Sequence, residues 1–233
     1  MFVAGAGIGI LGGLIGLGGA EFRLPLLIGL FGFAALQAVI LNKAMSLVVV
    51  VTALPTRLVS VPWRDVIPHW GVALNILAGS VVGAWLGASW ATRMRSATLC
   101  RVLAVLLVLI AMTLVATHVG TIPELNLPMA AQLCAGLVAG VAIGAVAALM
   151  GVAGGELIIP TIVLLYGIDI MIAGTLSLVV SLPTMLVAFA RYSRDSSFQV
   201  LHKNLQFLAS NHRSALGVVL ISIVCVEVVS GRG

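Results

Sequence analysis

The chain has 233 residues, of which 61% are hydrophobic and only 8% charged, and its formal net charge is +5. A water-soluble domain carries about 25% charged residues, so this composition and a mean hydropathy of +1.24 exclude one and call for a bilayer as solvent. Ten-residue segments of alternating hydrophobicity are lacking, which excludes a β-barrel, and the basic residues fall between apolar runs, where membrane topology places them, rather than on a nucleic-acid-binding domain.

A bilayer-spanning helix needs about 20 mostly apolar residues. Apolar runs occupy roughly 3–19, 24–54, 70–91, 99–118, 129–150, 157–190 and 214–230. The first lacks a basic region ahead of it, so it reads as part of the mature fold rather than as a cleaved leader. The runs 24–54 and 157–190 are too long for one ordinary span. Each follows a glycine cluster and carries an early proline, Pro25 or Pro160, which predicts a short half-helix, a bend and then a full span. Asp169 falls where the second of these spans begins and is placed to cap it.

The whole chain, 1–233, is expected to be a single all-α membrane domain, a polytopic helix bundle built from two pseudo-repeated halves with broken or re-entrant glycine-rich segments. Gly5, Gly9 and Gly13 match Gly136, Gly140 and Gly144. Gly16-Leu17-Gly18-Gly19-Ala20-Glu21 matches Gly151-Val152-Ala153-Gly154-Gly155-Glu156, and Pro25 matches Pro160. Ser46-Leu47-Val48-Val49 and Leu54-Pro55-Thr56 recur as Ser177-Leu178-Val179-Val180 and Leu182-Pro183-Thr184. The order of blocks is kept, giving a first repeat of about 3–119 and a second of about 129–230. After Pro183 only one further apolar run remains where the first half has two, so the second repeat reads as one helix short. If the glycine segments enter and leave on one side, the loops 92–101 and 191–213 share a side and collect most of the Lys and Arg. The charge rule then favours an inverted repeat.

The four-residue glycine spacing in Gly5/Gly9/Gly13, Gly79/Gly83/Gly87 and Gly136/Gly140/Gly144 puts small residues on one helix face, which suits close helix packing in lipid. Gly7-Ile8-Gly9-Ile10-Leu11-Gly12 also satisfies a dinucleotide-binding pattern, but that pattern needs a strand before it and a soluble βαβ unit around it. Cys100, Cys134 and Cys225 are too far apart for a metal or redox motif and read as small apolar filler. The sequence offers no metal site, no cofactor motif and no catalytic constellation.

The clusters Gly16–Pro25 and Gly151–Pro160 carry the functional signal. Glycines followed by proline disfavour a continuous helix, and non-helical backbone is tolerated in a bilayer only inside protein or beside a cavity. The exposed N–H groups of a half-helix start are a natural anion site. Packing of two kinked helices is the alternative use of the same motif. Near these clusters lie Glu21, Arg23, Lys43 and Glu156, ionisable groups within or beside apolar runs. A charge at the bilayer centre costs at least about 2.5–3.5 kcal/mol on insertion scales, so such groups pair or face a cavity. Arg23 and Lys43 could hold an anion; pairing with a glutamate or snorkelling to the headgroups is the other role open to them. Glu21 and Glu156 are equivalent in the repeat and could cap half-helices, pair with Arg23 or carry a coupling proton. The candidate substrate-binding set is Gly18, Gly19, Glu21, Arg23, Pro25, Lys43, Gly154, Gly155, Glu156 and Pro160.

The paired motif, Gly16-Leu17-Gly18-Gly19 through Pro25 and Gly151-Val152-Ala153-Gly154-Gly155 through Pro160, resembles the signature of the TauE/SafE sulfite exporter family, also called the toluene sulfonate uptake permeases. The resemblance covers about residues 3–190. Ala20 and Ala153 stand in place of motif glycines, and both are small. The resemblance implies a multi-pass protein of the bacterial inner membrane that moves sulfite, an organosulfonate or a related sulfur anion. With no nucleotide-binding module in the sequence, a proton gradient or the membrane potential is the expected driving force. Its partners would be membrane lipid and the small anion, without nucleic acid, and a homo-oligomer is left open. The shortened second repeat keeps an alternative in view, a non-transporting membrane subunit or inactive truncated family member. A channel is a third reading.

Overall fold

The computed structural model describes residues 20–29, 32–61, 63–119 and 128–194. The expectations that concern Gly5–Gly19, Cys225 and the tail after 194, including the shortened second repeat, lie outside the described residues. Within them every regular element is helical. Helix α1 is Ala20–Gly29, α2 is Ala35–Ser60, and α3 is the single turn Trp63–Val66, which a 3₁₀ turn at Ile67–His69 joins to α4, Trp70–Ala91. Then follow α5 (Ser96–Val119), α6 (Met129–Met150), α7 (Gly155–Tyr166) and α8 (Ile170–Tyr192). Among the described residues four stretches are long and apolar enough to cross a membrane: Ala35–Pro55, Arg64–Ala91, Met129–Met150 and Ile170–Tyr192.

Both overlong apolar runs are divided. The first becomes α1 and α2, with Gly32 at φ +66° between them. The second becomes α7 and α8, separated by Gly167 at φ +62°. The order short proline-bearing helix, left-handed glycine, long proline-bearing helix therefore occurs twice. A left-handed residue ends a helix at little steric cost only when it lacks a Cβ. Asp169 caps α8 by accepting from the Met171 N–H at 2.8 Å.

The pair α4 and α6 is packed backbone to backbone. A Cβ on Gly87 would lie 2.6 Å from the Ala145 carbonyl oxygen, and one on Gly140 would lie 2.6 Å from that of Ile76. Cβ atoms on Gly79, Gly83 and Gly144 would collide with the carbonyl oxygens of Leu137, Val141 and Ser80. Lipid gives helices no hydrophobic reason to associate, so close packing over small residues and interhelical hydrogen bonds must hold them. Both occur here. Ser80 on α4 shares a 2.7 Å hydrogen bond with Thr184 on α8, and Asn75 Nδ2 on α4 donates to the Leu133 carbonyl and the Tyr166 hydroxyl at 3.0 and 2.9 Å.

Helix α6 stops at Met150, and α7 begins at Gly155 after two left-handed glycines, Gly151 (φ +69°) and Gly154 (φ +82°). A Cβ on Gly151 would also strike the Val39 carbonyl of α2. The position is therefore closed to side chains on two counts, backbone angle and space. Gly151→Ala is expected to destabilise the protein by roughly 1–3 kcal/mol, the usual range for overpacking and for backbone strain. Thermal unfolding in detergent checks this, and an unchanged midpoint would contradict it.

Candidate functional site

Helix α1 buries Ala20, Glu21, Arg23, Leu24 and Leu27 and leaves Phe22 and Pro25 exposed. Its inner face thus carries two charged groups, Glu21 (8% exposed) and Arg23 (7% exposed). Helix α2 meets it with buried polar side chains, Asn42, Lys43 and Ser46; Ser46 follows Lys43 by three residues and Asn42 by four, and so lies on the face of each. Arg23 Nη2 donates to Ser46 Oγ at 3.1 Å, and Asn42 Nδ2 donates to the Ala20 carbonyl at 3.0 Å.

Glu21 and Glu156 come together. Each lies in the first turn of its own short helix, and their carboxyls are within hydrogen-bonding reach of one another, with Arg23 close enough to act electrostatically on both. As two carboxylates the pair has no donor, and neither Glu21 oxygen accepts a hydrogen bond from any described residue. With one proton between them they hydrogen-bond each other, as carboxyls in contact do. Arg23 does not close a hydrogen-bonded pair with Glu21, and its Nε is left without an acceptor among the described residues. The prolines repeat this geometry on the main chain. Pro25 lies four residues after Glu21 and Pro160 four after Glu156, so neither glutamate carbonyl receives the usual intrahelical N–H.

Lys43 is placed elsewhere. It is fully buried, and its Nζ donates to the carbonyls of Ala147 and Val152 at 2.9 and 2.8 Å. Two of its three donors are therefore committed at and just past the C-terminal end of α6, where a cation is favoured by the helix dipole. Asn42 Nδ2 adds a bond to the Met150 carbonyl at 3.2 Å, and the Tyr192 hydroxyl adds one to the Ala148 carbonyl at 2.9 Å.

Of the remaining sequence candidates, Gly154 forms the N-cap of α7 and is buried against Ala147, Ile143 and Ile158. Gly155 faces the Ser177 hydroxyl of α8, which would lie 3.7 Å from a Cβ placed there. Pro160 is half-buried within α7. Gly18 and Gly19 lie outside the described residues. The structure thus gathers Glu21, Arg23 and Glu156 into one cluster and sets Lys43 at the neighbouring helix end. Asn42 and Tyr192 were absent from the candidates, as was Ser46, noted only as part of the repeat. Their signal was faint, polar side chains on a helical face shared with Lys43, or one tyrosine ending an apolar run.

The arrangement, a buried guanidinium with an unused donor beside two carboxyls at the starts of short helices, can bind an anion and hold a proton. No curated protein and no solved structure matches the chain. The family model described as sulfite exporter TauE/SafE matches residues 1–230, well past residue 190, where the likeness of the motifs ends. The chain therefore belongs to the TauE/SafE sulfite exporter family of membrane transporters.

Proposed function

We propose that the protein is a secondary transporter of the bacterial inner membrane that moves a small sulfur oxyanion, sulfite or an organosulfonate, past the cluster formed by α1, α2 and α7. The observation that carries this reading is Arg23. A guanidinium 7% exposed in an apolar bundle, balanced in charge by the glutamates beside it but with its Nε unused among the described residues, has a desolvated donor left over for an anion. Arginine suits an oxyanion because its planar fork donates two parallel hydrogen bonds. The starts of the short helices add N–H groups and positive dipole ends. Broken helices near the midplane, in two related halves, are where transporters of repeated architecture hold their substrates. Membrane lipid and the anion are its partners in this reading.

The test is uptake by purified protein in lipid vesicles, with labelled sulfite, methanesulfonate and chloride as competing probes. Saturable, protein-dependent entry of a sulfur oxyanion is the expected result. Entry of all three without saturation would make it a channel. No entry of any probe, with folded protein verified by circular dichroism, would favour a non-transporting subunit.

A further inference from the structure

Resting on the transport reading above, we infer that the Glu21–Glu156 pair is a proton-binding site that couples anion movement to proton movement, one proton for each monovalent anion. Three observations meet here. The two carboxyls interact from two different short helices, and the Glu21 oxygens meet no other side-chain donor among the described residues. Among the described residues the one cation beside them, Arg23, is held through Nη2 by Ser46 and keeps Nε free of an acceptor. The polar neighbours on the other packed helices are neutral or occupied: Ser177 of α8 lies against Gly155, and Lys43 of α2 is bonded to carbonyls of Ala147 and Val152.

Charge balance then sets the stoichiometry. In the empty site, Arg23 carries one positive charge and the pair, sharing one proton, carries one negative charge. The site is neutral, as a buried cluster in low dielectric must nearly be. When an anion takes the guanidinium, the charge of the pair loses its counterion. A single carboxylate in an apolar setting, its counterion taken by the anion, is disfavoured in its charged form, so it takes up a second proton for the pair. The loaded site holds Arg23⁺, the anion and two neutral carboxyls, and is again neutral. Release of the anion returns that proton on the same side. No bond other than O–H forms or breaks. Removing one glutamate leaves this balance intact, because the other still passes from carboxylate to acid. Only removal of both abolishes it.

The experiment uses the full chain in vesicles with the membrane potential clamped to zero and labelled methanesulfonate as probe. Methanesulfonate stays ionised at every pH used, so a proton that travels with it must be carried by the protein. With the interior one pH unit more alkaline, wild-type protein is expected to accumulate the probe about tenfold, the limit for one-to-one coupling. Glu156→Gln is expected to reach the same ratio more slowly. Glu21→Gln/Glu156→Gln is expected to equilibrate the probe without accumulation. Infrared difference spectra of wild-type protein in detergent supply a readout that does not depend on the variants folding. Adding methanesulfonate should increase the band of a protonated buried carboxyl, and Glu21→Gln should halve that band in the loaded state. Entry of the probe to equal concentrations in wild type, accumulation by the double variant, or no anion-induced carboxyl band would each overturn the inference while leaving transport intact. No entry of methanesulfonate or sulfite in any arm would overturn the transport reading and this inference with it.

Discussion

Arg23→Gln is expected to lower uptake of the sulfur oxyanion at least tenfold, whereas Arg93→Gln leaves it within about twofold. Both substitutions remove one positive charge, so a nonspecific effect of net charge would act on them equally. Their surroundings differ. Arg23 lies beside Glu21 and Glu156 on the buried face of α1, and Arg93 is exposed in the turn that follows α4. A hydrogen bond to a charged group contributes roughly 1.5–3 kcal/mol, which corresponds to about 10–150-fold in binding. Gln keeps a donor but loses the charge and the fork. Arg23→Lys is expected to fall between the two, since it retains the charge without the paired donors. Initial rates at limiting probe, on matched amounts of folded protein, make the comparison. Equal and small effects of Arg23→Gln and Arg93→Gln would remove Arg23 from the site.

The second large effect concerns the contact of α4 with α6. Gly144→Ala is expected to lower the thermal midpoint markedly, by an amount equivalent to roughly 1–3 kcal/mol or more, while Gly71→Ala leaves it unchanged or slightly raised. The same methyl group is added in each case. At Gly144 it would meet the backbone of Ser80, with the Ser80 Cα at 2.7 Å and the carbonyl carbon at 2.8 Å. Backbone cannot swing aside as the end of a side chain can, so the helices must part. At Gly71, in the first turn of α4, nothing lies within 4 Å, and alanine favours a helix over glycine by up to about 1 kcal/mol. Circular dichroism melts in one detergent compare the two. An undiminished midpoint for Gly144→Ala would show that the two helices can separate at no cost.

The spans were legible because uninterrupted apolar runs leave few alternatives. Thus 70–91 and 129–150, which contain neither proline nor a charged residue, coincide with α4 and α6 to the residue. The bends in the two overlong runs were legible from length, from the glycine cluster ahead of each and from the early prolines Pro25 and Pro160; the glycines at which they fall, Gly32 and Gly167, both take positive φ. The glycine faces of α4 and α6 were recognised as packing surfaces, but spacing alone does not name the partner, and only the fold sets Gly83 against Val141. The cluster divides the same way. The matching positions of Glu21 and Glu156 singled them out, since two glutamates in equivalent apolar contexts call for one explanation. The sequence gives no means of seeing that the end of α6 lies opposite Lys43. Its burial was foreseeable, but its two carbonyl acceptors come from more than a hundred positions further along the chain.

That distance along the chain has a consequence for biogenesis. Lys43 enters the bilayer with α2 when the segment bearing Ala147 and Val152 has yet to be synthesised. A lysine at the centre of an inserting helix costs about 2.5–3.5 kcal/mol, and for that interval its ammonium must be solvated by water, headgroups or the insertion machinery. Asn42 waits likewise for Met150, 108 residues later. Only when the left-handed turn at Gly151 forms does Lys43 find its acceptors, and Asn42 a second one beside the Ala20 carbonyl, so the first half of the chain reaches its final arrangement after the second has been threaded. A nascent chain halted between α5 and α6 would thus hold its lysine toward the membrane surface, with α2 shallower than in the finished protein.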